Sequence, residues 1–370
     1  MRKRVAAGFL LAGAAIVAVV VGRLAGGPTR TAASTVTLVA VGDVLLDRGV
    51  ARALACTTPQ EALQAVAPVL RGADIAFCNL ECPIVSQPDP LPKLHRFAAS
   101  PDLASVLTHC GFDIVSLANN HTMDCGKRGL VETMNQLRQL GIAFCGAGVS
   151  ESAAHSPTIL TVNGLRVAFL AYSQFPPEGI VRLPGAPTVA LLREGSLREE
   201  ISRARRRADV VVVSLHWGRE FTSQPTAQQR QLANQAAAAG ADLILGHHPH
   251  VLQPVEFLER GSGRKAVVAY SLGNFMFDSR RPKSDETVIL ECELTSAGIR
   301  RARTYPVRIE GCLPKPASGA RGPAGARSPD RANAPATSGE VAPIKKHSQR
   351  PAARPAVITS STSGRRRGAP

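Results

Sequence analysis

Five apolar runs of this 370-residue chain each stop on a residue able to ligate a metal ion, and no other feature restricts the possible folds so tightly. The run V-T-L-V-A-V (36–41) leads into Gly42-Asp43, and I-A-F-C-N-L (75–80) into Glu81. D-I-V-S-L-A (113–118) leads into Asn119-Asn120-His121, and V-V-V-V-S-L (210–215) into His216. D-L-I-L-G (242–246) leads into His247-His248-Pro249-His250. Continuous apolar, β-branched runs of this kind are strands of a sheet covered on both faces. In α/β sheets, ligands bind in the crevice outside the carboxyl ends of the strands. Five strands therefore aim carboxylate, amide and imidazole groups at one edge.

Helical patterns separate the runs. Residues 58–71 carry Thr58 as a cap, Pro59 in the first turn and Glu61 three residues after the cap. Further helices are expected at 101–110, 127–140, 196–207 and 226–239. Asn163-Gly164 between 158–162 and 165–171 signals a hairpin. The last third, 252–258, 265–271, 287–294 and 300–309, is strand-rich. Strands alternating with helices, plus hairpins, predict an α/β fold: a layered sandwich of mixed β-sheets flanked by helices.

The formal charge of +16 resembles that of a nucleic-acid binder, but its distribution does not. Residues 1–30 hold +5 and residues 314–370 hold +9, leaving +2 for 31–313. A nearly neutral domain gives no electrostatic reason to bind nucleic acid. Basic tails suit an anionic polymer or a membrane surface. Met-Arg-Lys-Arg followed by the apolar run Val5–Val21 reads as a signal or anchor segment over 1–25. The positive-inside bias places the chain beyond Arg23 on the extracytoplasmic face. The alternative is secretion after cleavage near Ala32-Ala33-Ser34. Residues 26–35 read as a linker, 36–313 as one domain, and the Pro/Ala/Arg-rich 314–370 as a disordered tail. Eight cysteines outside the cytoplasm either pair as disulfides, for example Cys82 with Cys125, or serve as small buried apolar residues.

Mixed oxygen and imidazole ligands suit Mn, Fe or Zn, not an all-thiolate site. Two such ions clamp both sides of an in-line displacement at phosphorus. The series V-G-D, N-L-E, A-N-N-H-T-M-D, L-H-W-G, G-H-H-P-H-V and Y-S-L-G-N-F-M-F-D, in order over 36–310, resembles the CapA family of capsule and poly-γ-glutamate synthesis proteins. That resemblance implies a calcineurin-like metallophosphoesterase fold with two divalent metal ions. It implies Asp43 and His250 as ligands of the first ion, Glu81 as a bridge, and Asn120, His216 and His248 as ligands of the second. It implies His121 as the catalytic histidine, and Asp124, three residues on, is placed to orient its ring. Asn119 reads as a turn residue, His247 as a supporting or exposed side chain, and Asn274 as either a turn residue or part of the pocket floor. His95 and Arg96 lie in a loop open to an anionic substrate.

One position departs from the general phosphoesterase pattern. Leu45 stands where a histidine ligand is expected, so Asn79 is a candidate replacement and Leu45→His is expected to restore a ligand. Two functions follow as expectations. The first is a metal-dependent hydrolase acting on a phosphoester or anionic polymer. The second is a non-catalytic metal- and polyanion-binding partner of a membrane polymer synthase or exporter.

Overall fold

The computed structural model describes residues 34–180, 183–260 and 264–317. The expected anchor segment and most of the expected linker and tail lie outside these residues. Among the described residues no helix is long and apolar enough to cross a membrane.

Strand β1 (Val36–Val44) connects to β2 (Ile75–Leu80) through three short helices, α1 (Arg48–Ala55), α2 (Pro59–Leu63) and α3 (Ala67–Gly72). Helix α4 (Pro101–Cys110) leads to β3 (Ile114–Ser116), and α5 (Gly126–Gln139) to β4 (Ala143–Cys145). These four strands pair in parallel in chain order. After β5 (Ala147–Gly148) and α6 (Glu151–Ala154), the expected hairpin forms from β6 (Thr158–Val162) and β7 (Leu165–Ser173). Next, β8 (Thr188–Val189) pairs with β5. Helix α7 (Glu194–Arg205), β9 (Val210–His216), α8 (Ala227–Ala239), β10 (Leu243–His247), β11 (Val255–Glu259) and β12 (Lys265–Ala269) come after it. They complete a second sheet in the order β11-β12-β10-β9-β7-β6. The chain then returns to the first sheet. Strand β13 (Asn274–Met276) runs parallel to the end of β1, and β14 (Glu286–Thr295), β15 (Gly298–Glu310) and β16 (Leu313–Pro316) extend the sheet antiparallel beyond β1.

The side-chain period of two along a strand decides the layers. On β1, Leu38 and Ala40 face the second sheet, while Val39 and Val41 face the helices α1–α5. Between the sheets Phe77 stacks on Phe169 at 6.0 Å, amid Val212 and Leu245. Outside the second sheet, Leu197, Ile201, Leu232 and Ala236 of α7 and α8 cover Val211 and Val213. Burying each large apolar side chain is worth about 1.5–3 kcal/mol. The result is a four-layer α/β sandwich of two mixed sheets between helices, which is why the strand runs are apolar on both faces.

Several local expectations change. The helix expected over 58–71 is broken into α2 and α3, because Pro68 cannot donate to a carbonyl one turn back and its ring crowds that carbonyl. Helix α1, capped by Asp47, has no counterpart in the expected elements. The expected tail boundary at 314 falls inside β16, whose Leu313 is held against the α1–α5 side of the core. All eight cysteines are free thiols and six of them are buried, so neither Cys82–Cys125 nor any other disulfide forms.

Two glycines let the strand ends converge. A Cβ on Gly42 would lie 1.9 Å from the Gly273 carbonyl oxygen, and one on Gly246 would lie 1.9 Å from that of Tyr270. Each glycine immediately precedes a site residue, Asp43 or His247, so the close backbone approach and the placement of the polar side chain are one feature.

Candidate metal centre

Strand register assembles the site. In the first sheet Asp43 stands opposite Asn79 of β2 on one side and Asn274 of β13 on the other. In the second sheet Ser173, His216 and His247 form a row across β7, β9 and β10. Glu81 follows β2 directly, its backbone N–H donating to the Val44 carbonyl at 2.9 Å. The turn after β3 supplies Asn119, Asn120, His121 and Asp124, and the segment after β10 supplies His248 and His250. Both of these histidines have positive φ, +93° and +57°. Such backbone costs about 1–3 kcal/mol per residue and persists where surrounding structure enforces it, commonly at functional sites.

Asp43 is fully buried and heavily engaged. It accepts from Asn79 Nδ2 at 2.9 Å, from His247 Nδ1 at 3.1 Å and from the His248 backbone N–H at 3.4 Å, and it pairs with His250 Nδ1 at 3.2 Å. Glu81 accepts from the same Asn79 nitrogen at 3.2 Å, and its Oε1 lies 3.7 Å from His250 Nε2. Asn120 Oδ1 and His216 Nε2 are 2.8 Å apart. The His248 ring packs against both His216, at 4.8 Å, and Phe175, at 4.2 Å. On the far side of the turn, His121 Nδ1 donates to Asp124 Oδ2 at 2.9 Å, and its ring lies 4.2 Å from that of Phe97.

The supporting residues have distinct roles. Asn119 is a bracket: its Oδ1 accepts from the backbone N–H groups of His121 and Thr122 and from the Thr122 hydroxyl, and its Nδ2 donates to Asn79 and Leu80. Asn79, the candidate replacement ligand, spends its oxygen on Asn119 and its nitrogen on Asp43 and Glu81. Asn274 holds His250 Nδ1 at 2.9 Å. His247 is wholly buried against Asp43, not exposed. His95 and Arg96 are exposed and make none of these contacts.

The donors group differently from the division between two ions that the resemblance implies. Asp43, Glu81 and His216 form one set with ligand atoms within 4.8 Å of one another, and Glu220, His248 and His250 form another. His250 reaches toward both sets because its strained turn swings the ring back over Asp43 and Glu81. Glu220 escaped the sequence reading, although it lies four residues after His216 in H-W-G-R-E.

The electrostatics favour a cation. Burial raises the Asp43 carboxyl, but hydrogen bonds from His247 and His250 outweigh it and hold Asp43 well below the usual carboxylate range. Burial, with the Asp43 charge beside it, pushes Glu81 well above that range. Burial and the neighbouring His248 push His216 well down, and burial with His250 pushes His248 down to about 3. Burial opposes charge on His250, yet Glu81 and Asp43 carry it up to about 9. Glu81 Oε1, His247 Nε2 and His248 Nδ1 are buried without a hydrogen-bond partner. Neutral His216 and His248 beside ionised Asp43, with donor atoms unspent, fit a divalent transition ion, whose charge would displace the protons that Glu81 and His250 hold without it and keep both carboxylates ionised.

Leu45 corrects one expectation. Its side chain is fully buried in the apolar cluster between the first sheet and α1–α5. Leu45→His would leave an imidazole in that cluster instead of adding a ligand. The variant should lose about 3 kcal/mol of stability, seen as a lower thermal midpoint, and bind no more metal than the parent. Tighter metal binding at an unchanged midpoint would contradict this.

Comparison with known proteins agrees with the family resemblance. The profile of the family described as bacterial capsule synthesis protein PGA_cap matches residues 37–279. The chain is 32% identical over 279 residues to the PGA biosynthesis protein CapA of Bacillus subtilis (strain 168), covering 75% of this chain and 72% of that one. Among solved structures it is similar to a 5'-nucleotidase precursor from Thermus thermophilus, with 14% identity, a TM-score of 0.44 and coverage of 74% of this chain. It spans about half the length of that protein, 54%. It is also similar to a calcineurin-like phosphoesterase from Bacillus subtilis, with 17% identity, a TM-score of 0.41 and coverage of 74% and 91%.

Proposed function

Since the chain belongs to the bacterial capsule synthesis protein family PGA_cap, we propose that it is a metal-dependent phosphoesterase-type hydrolase of envelope polyanion biosynthesis, capsule or poly-γ-glutamate, anchored on the extracytoplasmic face by its N-terminal segment. The observation that carries this reading is the buried pair Asp43 and Glu81 facing His216, His248 and His250, with Glu81 Oε1 and His248 Nδ1 unspent. Asp43, Glu81, Asn120, His216, His248 and His250 would hold two divalent ions of Mn, Fe or Zn. When bound, such ions supply Lewis-acid stabilisation of charge at a phosphoryl group and activate water.

The chain's own residues do the rest. Asn79 spaces the two carboxylates, His247 and Asn274 hold Asp43 and His250, and Phe97, Phe175 and Phe277 pack against the rings of His121, His248 and His250 and restrict water. His121, held through Nδ1, is left with Nε2 for proton transfer to a leaving oxygen.

A second reading rests on Leu45. With an apolar residue where a ligand is expected, the same site can bind metal and polyanion as a non-catalytic partner of a membrane synthase. The full-length protein loaded with Mn²⁺ or Zn²⁺ separates the two. The hydrolase reading expects one or two ions per chain and turnover of an aryl phosphate that chelation abolishes. Bound metal without turnover of aryl phosphomonoesters or diesters would leave the partner reading, and absence of bound metal would reject both.

A further inference from the structure

The loop from Pro83 to Ser100, between β2 and α4, runs over the surface, and Pro92, Leu94, His95 and Arg96 are all exposed. Lys93 turns the other way, its side chain only 7% exposed. Its ammonium group lies 2.6 Å from Asp124 Oδ1 and donates to the Asn120 carbonyl at 3.3 Å. Burying an ammonium group is costly unless it is paired and hydrogen-bonded, and here both partners flank His121. The same loop grips the turn elsewhere: Leu91 N–H donates to the Asp124 carbonyl at 2.7 Å, and Phe97 N–H donates to Asp124 Oδ2 at 2.8 Å.

We propose that Lys93 is a positioning residue for His121. It fixes one oxygen of the Asp124 carboxylate so that the other stays aimed at the His121 ring. The Asp124 oxygens are divided, Oδ1 to Lys93 and Oδ2 to His121 and Phe97. Without the ammonium group, Oδ1 is released and the carboxylate can turn about its Cβ–Cγ bond. The peptide that joins Asn120 to His121 loses its outer partner at the same time. An ion pair that served the fold alone would need no contact on both sides of one histidine. This inference rests on the hydrolase reading for its kinetic consequence, but not for the orientation of the ring.

The test uses the full-length metal-loaded protein. Lys93→Met should lower kcat by about 10-fold or more, the range for residues that orient a functional side chain, with KM and bound metal little changed. Lys93→Arg should restore part of the loss. Introduced into Asp124→Asn, Lys93→Met should change kcat by less than about twofold, because the two act as one unit. That comparison also leaves no unpaired carboxylate, so it stands even if Lys93→Met alone fails to fold. The proposal is overturned if Lys93→Met keeps kcat, strips metal, or costs as much in the Asp124→Asn background as in the parent. If the parent hydrolyses nothing, the hydrolase reading fails and ring nitrogen NMR of the metal-free protein at about pH 8 decides Lys93, with the imidazole neutral there. The parent should show His121 with its proton on Nδ1, and Lys93→Met should show a mixture of tautomers. An unchanged His121 spectrum rejects the positioning role.

Discussion

Replacing His248 and His250 together by alanine should leave a folded protein that has lost most of its metal, with affinity down at least about 100-fold. The two rings project from one strained segment and reach both donor sets, His250 toward Asp43 and Glu81, and His248 beside His216. Their loss leaves two buried carboxylates with two fewer imidazoles around them. The fold should persist, because Gly246, Gly273 and the pairing of β10 with β9 and β12 lie outside the substituted side chains. Metal content by elemental analysis, with circular dichroism as the control for folding, is the measurement. Unchanged metal in a folded double variant would reject the site.

His121→Ala should do the reverse: turnover should fall about 10²–10⁴-fold, the usual contribution of a general acid or base, while bound metal stays nearly constant. The ring is held by its own partner, Asp124, and by packing at a tilt against Phe97, not by the carboxylate pair. Burial lowers its proton affinity, so in the free protein Nε2 is an acceptor; an anionic group brought against it raises that affinity and equips it to return a proton to the leaving oxygen. Asn120→Ala is the contrasting variant. Asn120 Oδ1 lies against His216, so its loss should weaken metal binding first, and activity should partly return at high metal concentration. If His121→Ala strips the metal, the two roles are not separable and this assignment falls.

Much of this site is legible in local sequence. A buried strand announces itself by its apolar run, and the residues past its carboxyl end follow at once, so Asp43, Glu81, His216 and the donor clusters at 119–121 and 247–250 stand out without a fold, while the choice of Asn120, His248 and His250 within those clusters is what the family resemblance implies. The choice of Asn120 over Asn119 could be weighed but not proved from the sequence; the three hydrogen bonds accepted by Asn119 Oδ1 make its bracing role visible.

What the sequence determined by itself is therefore the class of fold, the longer strands along the chain and the kinds of donor at their ends, because the period of a strand and the chemistry of the residue closing it are properties of adjacent positions. Tertiary structure alone decided which donors meet. Asp43 finds Asn274 and His247 across more than two hundred residues through the register of β1 with β13 and the face-to-face packing of the two sheets. Lys93 finds Asp124 only because an irregular loop folds back over the next strand's turn. Leu45, a gap in a ligand pattern when read as sequence, is a core residue once α1–α5 cover the sheet. In each case the deciding contact is a pairing of distant segments, and its energy comes from burial and register, which no local pattern of residues encodes.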